Sequence, residues 1–149
     1  MKAGEMAFLD TNVLVYASET DNPLHQAAAS FMDRVIAGEI LSCVSPQVMG
    51  ELFSTITNPK KIKNPCQLDE AVRIVEALWE VETIRRIYPG EGTLNLTLNL
   101  ARRYQLKGLV FFDAQIVATM LDNGVTTIYT ANEKDFAKFE EIEAINPFK

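Results

Sequence analysis

Short apolar runs alternate with segments whose apolar residues recur at helical spacing, and this alternation constrains the fold more than any other feature of the chain. The runs 6–9, 40–45, 82–88, 126–130 and 142–145 read as strands. Between them lie helical stretches over 13–17, 21–36, 46–56, 68–79, 92–104 and from Asp113 to Asn123-Gly124. Strands separated by helices pair in parallel through right-handed crossovers, with helices on both faces of the sheet. The expected class is therefore α/β, a three-layer α/β/α sandwich around a central parallel sheet. In such a sheet the functional crevice lies beyond the carboxyl ends of the strands, which draws attention to Asp10 and Thr130.

The individual elements carry their own signals. Leu24, Ala27, Ala28, Phe31, Met32 and Val35 form a helical stripe, with Asp21 or Asn22 as cap, Pro23 in the first turn and Gly38 as stop. Ser45-Pro46 opens a helix with Val48, Leu52, Phe53 and Ile56 on one face and Glu51 beside them. Ala71, Val72, Val75, Leu78 and Trp79 make the stripe of the next helix. Gly108 is expected to stop the helix over 92–104, and a short helix is expected over 133–139. The segment from Thr57-Asn58-Pro59 to Asn64-Pro65 reads as an exposed basic loop.

With 149 residues, 48% of them hydrophobic, the chain suffices for one buried core, and a single domain over 1–149 is expected. Cys43 and Cys66 match neither a metal-ligand spacing nor a disulfide framework, and Asp10 and Asn12 interrupt the N-terminal apolar stretch where a signal-peptide core would be continuous. No apolar run approaches the roughly 20 residues that span a bilayer. A cytoplasmic protein without a membrane association is expected. The net charge of −6 opposes nucleic-acid binding, since Lys and Arg supply most of that affinity. Basic residues are nevertheless grouped, at Lys60, Lys61 and Lys63, at Arg85 and Arg86, and at Arg102, Arg103 and Lys107.

Each acidic residue of interest has a plain structural reading beside a chemical one. Asp10 follows a strand and precedes Thr11-Asn12, so it suits an Asx turn as well as a site of oxygen ligands for a hard cation. Glu51 suits a solvated helix face. Asp113 has the position of a helix N-cap, as does Asn132, and Asp135 that of an exposed residue. His25, the only histidine, has no companion nucleophile, which argues against a Ser-His-Asp hydrolase. A phosphatase using Asp10 as nucleophile would want an acid at position 12, where Asn12 stands.

Taken together, Phe8-Leu9-Asp10-Thr11-Asn12-Val13-Leu14, the stretch 47–53 centred on Glu51, Phe112-Asp113-Ala114-Gln115-Ile116-Val117-Ala118-Thr119 and the stretch 130–136 resemble the successive motifs of the PIN domain. The resemblance covers nearly the full chain, and within that family it is similar to the VapC ribonuclease toxins of toxin-antitoxin pairs. It implies a metal-dependent endoribonuclease in which Asp10, Glu51 and Asp113 form the acidic site, Asn12 and Thr130 support it, and one or two Mg²⁺ or Mn²⁺ ions are bound. Where the family often has a fourth acid this chain has Asn132, so either Asp135 substitutes or the site carries one charge fewer. The resemblance further implies an RNA substrate touched by Lys60, Lys61 and Lys63, an antitoxin partner and a homodimer. The alternative is a catalytically weak PIN fold that binds RNA or protein.

Overall fold

The computed structural model describes residues 5–149. Its strands are β1 (Ala7–Leu9), β2 (Ser42–Val44), β3 (Ile84–Arg86), β4 (Thr127–Tyr129) and β5 (Glu143–Ile145), and its helices are α1 (Thr11–Ser18), α2 (His25–Ile36), α3 (Pro46–Ile56), α4 (Leu68–Trp79), α5 (Thr93–Tyr104) and α6 (Val110–Asp122). The strands form one sheet in the order β3-β2-β1-β4-β5 with every pairing parallel. The six helices flank it, as the α/β alternation predicts.

β1 lies at the centre of the sheet, and all three of its residues are buried. Chain reversal begins on both of its sides, toward β2 and toward β4, and such a point in a parallel sheet opens a crevice at the carboxyl ends of the strands. Leu9 stands opposite Tyr129, so the next residues on each strand, Asp10 and Thr130, leave the sheet side by side. Ser45 and Ile87 leave β2 and β3 at the same end. Below this rim the core is continuous: Phe8, Leu9, Val44 and Ile128 of the sheet meet Val13, Val48, Leu52, Val117 and Met120 of the helices.

Several boundaries differ from the sequence expectation. Residues 21–24 do not join α2; Asn22 Oδ1 accepts the Leu24 N–H at 2.8 Å in a local turn, and the helix begins at His25. α6 starts at Val110, three residues ahead of Asp113. Gly108 is not the stop of α5. That role falls to Gln105, whose φ of 56° is left-handed, while the N–H of Leu106 returns to the Ala101 carbonyl at 2.9 Å. The expected helix over 133–139 shortens to one 3₁₀ turn, Glu133–Asp135. Gly38 and Gly124 do stop α2 and α6, with φ of 82° and 71°. In α4 only Ala71 is buried, and Val72 and Leu68 are 37% and 66% exposed, so its apolar stripe is not fully covered by this chain.

Gln105 is a side chain in a conformation that glycine adopts without the Cβ penalty. Gln105→Gly is expected to stabilise the protein by about 0.5–1 kcal/mol, raising the thermal midpoint by about 2 °C; a lower midpoint would show that the Gln105 side-chain bond to the Arg102 carbonyl outweighs the backbone gain.

Candidate functional site

The register of β1 with β4 builds the centre of the site. Asp10 is 8% exposed and Thr130 is wholly buried. Asp10 Oδ1 accepts the Thr11 N–H at 2.8 Å, and Oδ2 accepts the Thr130 hydroxyl at 2.8 Å. The Thr130 oxygen in turn accepts from Asn12 Nδ2 at 3.3 Å and from the Asn132 N–H at 3.1 Å, which saturates it. Asn12 Oδ1 accepts the Ala131 N–H at 3.1 Å. Asp10 thus caps α1, as its turn reading required, and the same bonds hold its carboxylate in one orientation.

Glu51 is half-buried on α3 and is aimed by two donors. The Thr11 hydroxyl reaches Oε2 at 2.9 Å, and Gln47 Nε2 reaches Oε1 at 2.8 Å while also donating to the Phe112 carbonyl at 3.2 Å. Gln47 therefore joins the start of α3 to the start of α6. The N-cap reading of Asp113 fails, because the residue sits inside the first turns of α6 and Leu109 occupies the cap position. No hydrogen bond engages the Asp113 carboxylate among the described residues.

The electrostatics tie these acids into one group. Burial pushes Asp10 from the ordinary 3.8 up to about 6; the bonds from Thr130 and Thr11 oppose the rise, and the charges of Glu51 and Asp113 add to it. Asp113 also rises to about 6, first through burial, then through the charge of Asp135, with Lys138 opposing and Glu51 adding. Asp135 is thus the strongest negative neighbour of Asp113. Asn132 does not cap the 3₁₀ turn with its side chain; its Nδ2 donates to Asp135 Oδ2 at 2.8 Å.

All the donors here are oxygens, the set that suits hard divalent cations. Among the described residues no three acidic, histidine or cysteine side chains converge closely enough to make a ready cage. A cation that retains several waters needs only one or two carboxylates. Asp10 and Asp113 fit that need, since both are partly desolvated acids whose charge is incompletely offset by neighbours, and a cation supplies the offset.

Of the expected residues, the fold brings together Asp10, Asn12, Glu51, Asp113, Thr130, Asn132 and Asp135. Lys60, Lys61 and Lys63 are exposed in the loop after α3. A cation whose charge reaches Asp113 is Lys138, which the sequence does not single out. Gln47 and the Thr11 hydroxyl were also absent from the expected site. The four-residue spacing of Gln47 and Glu51 on a helix was a usable signal for the first.

A family model of the PIN domain matches residues 7–142. Among curated proteins the chain is similar to ribonuclease VapC24 of Mycobacterium tuberculosis, 30% identical over 139 residues that span 90% of this chain and 91% of the relative. It is also similar to ribonuclease VapC48 of the same organism, 29% identical over 140 residues that span 93% and 95%. Among solved structures, VapBC2 from Rickettsia felis bound to a DNA fragment from its promoter gives a TM-score of 0.67 at 16% identity, over 95% of this chain and 98% of that one. The sarcin-ricin loop cleaving toxin VapC20 of M. tuberculosis gives 0.66 at 18% identity, over 93% and 99%. These structural likenesses establish the shared fold.

Two outcomes follow from the geometry. Thr130→Val removes a hydroxyl that makes three buried hydrogen bonds while keeping the shape, and is expected to cost about 2–3 kcal/mol in urea unfolding; Thr130→Ser should retain most of the stability. An unaffected Thr130→Val protein would mean that the hydroxyl does not hold the site together. The second concerns pH. Asp10 binds its proton more tightly folded than unfolded, so its contribution to stability falls as pH rises through roughly 4 to 6. In EDTA, Asp10→Asn should therefore gain about 2 kcal/mol relative to the parent between pH 4 and pH 7.5. A stability difference independent of pH would contradict the raised value.

Proposed function

The chain belongs to the PIN domain family, and from that premise we propose that it is a divalent-metal-dependent endoribonuclease of the VapC type, the toxin of a toxin-antitoxin pair. The observation that carries this reading is the electrostatic coupling of Asp10, Glu51, Asp113 and Asp135 near the carboxyl end of a parallel sheet, where Thr11, Gln47 and Thr130 fix the first two in orientation. A group of acids maintained this way opposes stability, and RNA hydrolysis is chemistry that uses it.

In this reading Asp10 and Asp113 would hold Mg²⁺ or Mn²⁺. A bound ion of this kind polarises the scissile phosphate and acidifies a water. Glu51 orients the attacking water and takes its proton at a carboxylate oxygen whose position the Thr11 and Gln47 bonds define. Asp135, steadied by Asn132, would take the fourth acidic position beside Asp113, and a second ion would be held with its help. Lys138 attracts the phosphate that the carboxylates alone would repel. Lys60, Lys61 and Lys63 stand exposed in the loop after α3 and contact the RNA strand.

Uncovered apolar surface supports protein partners. Leu14, Ala17, Met32 and Ile36 line a groove that Leu78 of α4 completes, and the open stripe of α4 adjoins it; an apolar segment of an antitoxin suits this surface. Leu94 and Leu98 of α5, with Leu109 and Phe112 at the start of α6, are exposed, and suit the interface of a homodimer. No helix of the described residues is long and apolar enough to cross a membrane.

Purified protein is expected to cut single-stranded RNA with Mg²⁺ or Mn²⁺ and to stop in EDTA. Asp10→Asn and Asp113→Ala should each lower the rate about a thousandfold while the circular dichroism spectrum is retained. Full cleavage in EDTA, or by a folded Asp10→Asn protein, would contradict this mechanism. A folded parent that binds RNA without cutting it would favour the interaction-module alternative.

A further inference from the structure

Beside the acids, at the same end of the sheet, lies a cavity of about 340 Å³, at the lower end of the size range of small-ligand sites. Ser45 and Pro46 after β2, Tyr88 and Pro89 after β3, and Gln115 of α6 form its walls. Gln47 lines it as well, and the same Gln47 amide donates to Glu51. The cavity therefore adjoins the acidic site, with the Gln47 side chain shared between them. Gln115 stands two residues beyond Asp113 on α6.

The chemistry of the walls discriminates among occupants. No lining residue is charged, so nothing there would compensate a phosphate. A ring, two prolines and two amides are present instead, which offer flat apolar contact together with both donors and acceptors. Ser45 adds a hydroxyl: it is 2% exposed and occupies the N-cap position of α3 without making the cap bond. Flat faces with amide and hydroxyl groups at the edge are what an unstacked nucleobase requires.

The cavity is also held open. Tyr88, 52% exposed, is backed by Trp79 in an edge-to-face contact at 6.1 Å, and Arg86 lies over Trp79's ring at 4.6 Å. Asn123 Nδ2 donates to the Tyr88 carbonyl at 3.0 Å and to the Thr119 carbonyl at 2.8 Å. Thr93 accepts the Gly90 N–H at 2.7 Å and donates to Asp122. These bonds tie the loop after β3 to the end of α6, so the walls need little ordering when a ligand enters, which lowers the cost of binding.

We propose that this cavity is a base-recognition subsite that takes one splayed-out nucleobase of the RNA strand next to the bond being cut, with Tyr88 as the stacking face and Gln115 as the reader of the base edge. The proposal rests on the ribonuclease reading for its place in the reaction, but base binding itself does not need catalysis. Cleavage specificity then follows from which base Gln115 and Ser45 can satisfy. Recognition of the base next to the cut would position the phosphate over the acids.

Two readouts test it. In EDTA, the four ribonucleosides, which carry no phosphate, are titrated into the full chain and followed by NMR; shifts of the Gln115 side-chain amide and the Tyr88 ring are expected, stronger for some bases than for others. With Mg²⁺, cleavage of a pool of random short RNAs is sequenced for the parent, Tyr88→Ala, Tyr88→Phe and Gln115→Ala. Tyr88→Ala is expected to raise KM about tenfold with kcat within about threefold, Gln115→Ala to flatten the base preference beside the cut, and Tyr88→Phe to behave as the parent. Nucleoside shifts that bypass the cavity, or a base preference unchanged in both alanine variants, would overturn the subsite. A parent that cuts no RNA would overturn the nuclease reading alone, and the nucleoside titration would still decide the subsite.

Discussion

The parallel pairing of β1 with β4 decides where Asp10, the most buried acid of the site, stands. Leu9 opposite Tyr129 places Asp10 beside Thr130 at the sheet rim, and the Thr130 hydroxyl then orients Asp10 and collects Asn12 and Asn132 around itself. A slip of one residue would turn Asp10 to the other face of the strand and leave Thr130 without an acceptor. Since Phe8 and Leu9 are fully buried, the core forbids that slip. The precision of the site is thus a consequence of packing several residues below it.

The same arrangement opposes folding. Asp10 is nearly inaccessible yet faces Glu51 and Asp113, and holding it ionised at neutral pH costs about 3 kcal/mol by the size of its shift. Without the hydrogen bonds from Thr11 and Thr130, which lower the Asp10 value, the cost would be larger still. Stability alone would favour a neutral residue in place of one of these acids. A divalent cation removes the conflict, because it makes the gathered charge favourable. Strain of this kind at an otherwise consistent fold is the expected mark of a functional site.

Much of this was legible in the sequence. The order of strands and helices, the stops at Gly38 and Gly124, and the placing of Asp10 at a strand tip followed from periodicity and turn residues. The start of α6 was misread because Asp113 has the look of a cap, whereas Phe111 and Phe112 belong to the helix. Gly108 looked like a stop, but the apolar Leu106 turns back toward the core and draws the left-handed position to Gln105. The α4 stripe has the same pattern as a buried helix, and a pattern does not say whether its cover belongs to the same chain. Lys138 had no local signal, because its approach to Asp113 depends on how the chain after the 3₁₀ turn packs through Phe136 and Phe139.

The central claim is that Asp10 and Asp113 form the seat of a divalent cation. Calorimetric titration of Mn²⁺ into the metal-free protein tests it most directly, with no RNA present. At least one ion should bind each chain, and binding should vanish in the Asp10→Asn/Asp113→Ala double variant while the fold is retained. Equal Mn²⁺ binding by the parent and the double variant would contradict the account.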